Sequence, residues 1–166
     1  RGFTTTPIPY RARAFQIDFD FVDHRLVIAT SDGATRTMAL RPRSVADFYR
    51  EYVETLGALD LTVKLWPVPV EADHATPFPA DEAHASYDAG HVRRFHQMML
   101  HADRVLKRFA GRFLGKSSPV HFFWGANDLA LTRFSGRRAP AHGAGDSSML
   151  REANSHEEIS VGFWPG

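Results

Sequence analysis

The 166 residues suffice for one packed domain, and a hydrophobic content of 43% with 12% aromatic residues is enough to fill its core. No apolar run approaches the roughly twenty residues that span a bilayer, a net charge of +1 argues against a dedicated nucleic-acid binder, and the absence of cysteine removes disulfides, thiolate metal sites and a cysteine nucleophile. What remains is a soluble chain with the cytoplasm as its expected compartment.

The chain opens at Arg1-Gly2 without an initiator Met and stops at Phe163-Trp164-Pro165-Gly166 without a polar tail. It is therefore read as a single α+β domain over 1–166, truncated at both ends from a longer protein. From Ala14 to Val22 apolar and polar residues alternate strictly. Phe15, Ile17, Phe19 and Phe21 form one face, and Gln16, Asp18 and Asp20 the other, which predicts a half-buried strand with both carboxylates toward solvent. Asp23-His24 predicts a tight turn. Asp32-Gly33 is a hairpin signal, because Gly supplies the positive φ that such a turn needs, so an antiparallel meander runs on to Leu40.

Ser44 is placed as an N-cap, and Val45, Phe48, Tyr49, Tyr52, Val53 and Leu56 recur at helical spacing up to Gly57. Leu61 to Trp66 reads as a returning strand through Val63 and Leu65. Four prolines between Pro67 and Pro79 predict a Pro-rich loop over 67–84, where His74, Asp81, Glu82 and His84 are taken as solvated polar residues. After the capping signal Ser86-Tyr87-Asp88 the longest helix runs from about Ala89 to Phe113. Its apolar stripe is Val92, Phe95, Met99, Ala102, Leu106, Phe109 and Phe113. His91, His96 and His101 point apart at helical spacing and cannot share a metal.

The aromatic stretch Ser118 to Gly136 predicts a core strand with one working face. Residues 137–150, rich in Gly, Ala, Pro and Ser, predict a flexible loop, and His156 to Trp164 resumes strand alternation. The expected fold class is thus α+β, a largely antiparallel sheet with two principal helices packed on it.

No linear motif carries a reaction. Ala110 to Ser117 fits a loose phosphate-loop pattern in the reversed order, helix before and strand after. His156-Glu157-Glu158-Ile159-Ser160 lacks the second His of a zinc-protease helix. The chemistry-bearing groups are instead His121, Asp128, His156 and Glu157, which are the residue types of an acid/base or divalent-metal site. No metal is assigned, but His121, His156 and Asp128 would be its ligands. Phe123, Trp124 and Asn127 are candidate ligand contacts, and Arg133 and Arg137 are candidate clamps for an acidic group. In a straight strand His121 and Asp128 fall on opposite faces; only a turn or bulge at Gly125 to Asn127 brings them together.

The segments TTTPIPY at Thr4 to Tyr10, FQIDFDFVDHRLVI at Phe15 to Ile28, RPRSVADFY at Arg41 to Tyr49, SPVHFFWG at Ser118 to Gly125, RFSGRRAP at Arg133 to Pro140 and the closing GFWPG together resemble a bacterial domain-of-unknown-function family, DUF5996. The resemblance implies that relatives continue beyond both ends of this chain. It implies no activity, cofactor or catalytic residue. Three functions stay open: binding of a small aromatic or acidic molecule in an aromatic-lined pocket, a metal-assisted or acid/base enzyme, and a structural or partner-binding module.

Overall fold

In the computed structural model the described residues are 1–70, 75–140 and 147–165. The fold is α+β with antiparallel sheets, and among the described residues it has two principal helices and a third, short one. The chain divides into two compact units, Arg1–Gln97 and Met98–Gly166. No helix among the described residues is long and apolar enough to cross a membrane.

The first unit is built on a five-stranded sheet. Its strands are β1 (Gly2–Thr4), β2 (Ile8–Tyr10), β3 (Arg13–Asp20), β4 (Arg25–Thr30) and β5 (Thr35–Ala39). β3 is central: β1 and β2 pair with its two halves on one flank and β4 runs along the other, with β5 outside β4. The alternation of β3 is what sets this arrangement. Phe15 and Ile17 are buried together with Leu26, Ile28 and Met38 from the neighbouring strands, and Phe21, Leu40, Leu56, Leu59 and Leu61 complete the core. The β4–β5 hairpin turns at Asp32-Gly33 as expected. Gly33 has φ +93 and Thr30 N–H donates to Ala34 O at 2.9 Å.

The opposite face of β3 departs from expectation at one residue. Asp18 bonds Thr4 Oγ1 and Gln16 Nε2, but the Asp20 side chain is only 8% exposed. It accepts N–H bonds from Val22 and Asp23 and pairs with Arg1 at 2.9 Å. Burial by itself raises the Asp20 carboxyl; the two backbone N–H groups and Arg1 outweigh it and hold the group below its ordinary value. Asp20 thus organises the turn into β4.

α1 (Val45–Gly57) begins where expected. Ser44 accepts from Asp47 N–H at 3.1 Å and caps the first turn. Ala46 and Leu56 are buried, whereas Phe48 and Tyr52 only pack against the edge of the core. The next segment corrects the strand expected from Leu61 to Trp66. It forms no ladder, yet Leu61 is buried and Val63 and Leu65 pack on the core. Leu61 N–H returns to Leu56 O and Thr62 N–H goes to the Tyr10 hydroxyl at 2.9 Å. The alternation there records burial on one side, not pairing. A 3₁₀ turn at Phe78–Ala80 follows; His74, within the expected loop, lies outside the described residues.

α2 (Ala89–Ala110) is capped by Asp88, which accepts His91 N–H at 2.6 Å. It ends three residues before Phe113. His91 and His101 are exposed, but His96 is buried and packs edge-on to Phe3 and Phe21, with ring centroids 6.3 and 5.8 Å away.

The second unit carries a three-stranded sheet of β6 (His121–Phe123), β7 (Asp128–Arg138) and β8 (His156–Phe163), with α3 (Ser148–Ala153) between the last two. Leu129 and Leu131 are buried and face Phe163 and Val161 across the ladder. Gly162 lies so close to β7 that a Cβ there would meet Leu129 O at 2.7 Å. The register slips between Phe134 and Arg138 around Gly136, whose φ is +79. Of the loop expected over 137–150, Arg137 and Arg138 belong to β7 and Ser148 to Leu150 to α3. Residues 141–146 are outside the described set.

Candidate functional site

The aromatic stretch is a hairpin, not a straight strand. β6 pairs with β7 in the register His121 to Ala130, Phe122 to Leu129 and Phe123 to Asp128. The chain turns between Trp124 and Asn127, and Asn127 adopts φ +56. Directly opposed residues share a face, so His121, Phe123 and Asp128 stand on one side and Phe122, Leu129 and Leu131 on the other. His121 Nδ1 donates to Pro119 O at 3.0 Å, which leaves Nε2 as its second nitrogen, and its ring lies 4.4 Å from that of Phe123. Trp124 meets Phe122 edge-on at 5.2 Å and is 47% exposed.

The other candidate groups of this unit are placed differently. Arg133 faces inward, opposite Ile159. Its guanidinium lies over the rings of Phe109 at 3.4 Å and Phe113 at 4.9 Å and donates to Phe109 O, so it closes the C-terminal turn of α2. Arg137 pairs with Glu157 at 2.8 Å beside the bulge. His156 stands opposite Arg138, is exposed, and bonds Ser155 Oγ at 2.9 Å. His121 and His156 thus oppose β7 positions 130 and 138, on the order of 25 Å apart at the rise of an extended strand. Among the described residues no three His, Cys, Asp or Glu side chains converge as a metal set.

Two concave sites lie against α1 in the first unit. The first is an apolar slot of about 350 Å³ lined by Val45, Phe48, Tyr49, Tyr52, Leu65, Trp66 and Phe78. Phe48 and Tyr52 stack nearly parallel, 5° apart with centroids at 6.5 Å, and Tyr49 meets Phe78 at 5.9 Å. Phe78 is positioned by its N–H bond to Pro67 O at 2.7 Å, which also holds Trp66 at the rim. Neither the Tyr49 nor the Tyr52 hydroxyl bonds another described residue, and burial pushes Tyr52 above the ordinary phenol value.

The second hollow, about 450 Å³, shares Val45 and Phe48 with the slot; its lining is mostly apolar, with Leu40, Ala83 and Ala85 beside the polar side chains of Arg41, Arg43, Ser44, His84, Ser86 and Tyr87. Residues 81–85 dock on the start of α1 to make it. Arg43, Val45 and Ala46 N–H groups donate to the carbonyls of Ala85, His84 and Asp81, at 3.1, 3.0 and 3.0 Å. The Asp81 carboxylate in turn accepts the N–H groups of Ala83 and His84 and the His84 ring Nδ1 at 2.9 Å. The His84 N–H chiefly holds Asp81 below its ordinary value, against the effect of burial, with the His84 ring and Ala83 N–H adding to it. The Tyr87 hydroxyl bonds His24 Nδ1 at 2.9 Å.

Sequence reasoning missed these hollows. Of the six apolar residues in the α1 stripe only Leu56 is fully covered; six in thirteen is an ordinary stripe, so the sequence carried no signal for the hollows. The family model for DUF5996, a family of unknown function, matches residues 1–166. No curated protein and no solved structure matches the chain.

Proposed function

The chain belongs to the DUF5996 family, and we propose that it binds a small molecule with a flat apolar body in the slot beside α1. The observation that carries this is the wall itself: five aromatic side chains around a hollow of about 350 Å³, with two phenol hydroxyls left unengaged by described residues. Specific small-molecule sites are of this size and kind, mostly apolar with a few polar groups that set orientation. Fluorimetric melting of the protein against a panel of bicyclic aromatic compounds is the test. A true ligand well above its Kd raises Tm by several degrees. Val45→Trp, which introduces a bulky ring at a residue lining both hollows, abolishes the shift. Compounds that stabilise both forms equally would refute binding at this place.

A second reading, acid/base chemistry at the β6–β7 hairpin, is favoured by one observation: the turn puts His121 and Asp128 on one face. They are diagonal rather than opposed, so a substrate would have to bridge roughly 7–8 Å between their positions. His121→Gln and Asp128→Asn would each abolish turnover of any substrate found, and full activity in either variant removes the idea.

A further inference from the structure

We infer that the ligand of the α1 hollows is a carboxylic acid, its flat body in the aromatic slot and its carboxylate in the adjoining chamber against Arg41. The inference rests on the small-molecule reading above and adds the chemical class. It follows from the charges around the chamber. Three lining residues are cationic or can become so: Arg41, Arg43 and His84. The two carboxylates that bond to these lining residues are both engaged. Glu51 is paired with Arg43, and Asp81 accepts two backbone N–H groups and the His84 ring. Arg43 is similarly occupied, by Glu51 and by Ala39 O at 2.9 Å. Arg41 makes no hydrogen bond or ion pair with any described residue. The chamber therefore presents one uncompensated guanidinium, the group best suited to grip a carboxylate through two parallel N–H bonds.

The remaining anion-binding feature of the neighbourhood is ruled out by its own bonding. The first N–H groups of α1 are answered by His84 O, Asp81 O and Ser44 Oγ, so the helix terminus offers a ligand nothing. A phosphate dianion would call for a second free cation, and Arg43 is not free. A singly charged acid fits one guanidinium. Because Val45 and Phe48 belong to both walls, an acid joined to its ring directly or through a short spacer reaches across Phe48 from slot to chamber.

The test is isothermal titration of the protein with 2-naphthoate and with 2-naphthamide, which share a ring system and differ in charge. The acid is expected to bind at least about tenfold more tightly, the scale of one charge-assisted hydrogen-bond pair. Arg41 is exposed, so Arg41→Gln folds normally, and it brings the acid down to the affinity of the amide while leaving the amide unchanged. Equal binding of the two probes to the parent protein overturns the acid inference and leaves the slot standing as a binding site. Equal weakening of both by Arg41→Gln likewise overturns it. Failure of both probes to bind the parent protein sinks the inference together with the proposed site.

Discussion

Arg43 ties β5 to α1 in the wall of the second hollow, and the cost of removing it follows from its contacts. Its side chain is 6% exposed. It donates to Ala39 O at the end of β5, pairs with Glu51 on α1, and holds its guanidinium 4.9 Å above the Phe48 ring. The bond to Ala39 O is worth about 1.5–3 kcal/mol as a hydrogen bond to a charged group. The ring contact adds roughly 0.5–1 kcal/mol, and the pair with Glu51, a side chain 41% exposed, at most about 1 kcal/mol. Against these stands the buried Arg43 Nε–H, which has no hydrogen-bond partner among the described residues and costs about 1 kcal/mol. Arg43→Ala, which also loses the packed stem, is expected to cost roughly 2–4 kcal/mol. Arg43→Met keeps the stem, drops the orphan Nε–H and is expected to cost about 1–2 kcal/mol. Urea unfolding of both variants at constant m measures this. A cycle with Glu51→Gln should give a coupling no larger than about 1 kcal/mol. Equal losses in the Ala and Met variants, or a coupling above about 2 kcal/mol, would refute the assignment of most of the energy to the Ala39 bond and the stem.

Burial holds the His96 imidazole below its ordinary value, with Asp20 acting against it. The folded state then binds fewer protons than the unfolded one, so stability is full above the ordinary His value of about 6.5 and falls as pH drops from there through the lowered folded value. Unfolding free energies at pH 7.5 and 5.5 should show that loss in the parent and a smaller one in His96→Phe; an undiminished loss in the variant contradicts it. In the second unit, Gly162→Ala puts a Cβ within 2.7 Å of Leu129 O. It should destabilise by about 1–3 kcal/mol by pushing β8 off β7, read as a drop in Tm; an unchanged Tm means the strands separate there without cost.

Where a signal spans only a few residues, the sequence determined the outcome by itself. Alternation in β3, the Asp32-Gly33 turn, the Ser44 cap and the stop of α1 at Gly57 are all set by sterics and hydrogen bonds among near neighbours, and the structure has them in place. Tertiary structure decided the rest, because the relevant partner lies elsewhere in the chain. Leu61 to Trp66 alternates like a strand, but no edge is paired with it, so only its burial was legible. Asp20 looked solvated until Arg1 and the Val22-Asp23 turn closed over it. His121 and Asp128 share a face only because the chain turns at Trp124 to Asn127 and folds back in register. The hollows beside α1 are decided the same way. A helix stripe announces how much apolar surface it has, but how much of that surface stays uncovered depends on the shapes of the sheet and of the segments carrying Trp66, Phe78 and His84.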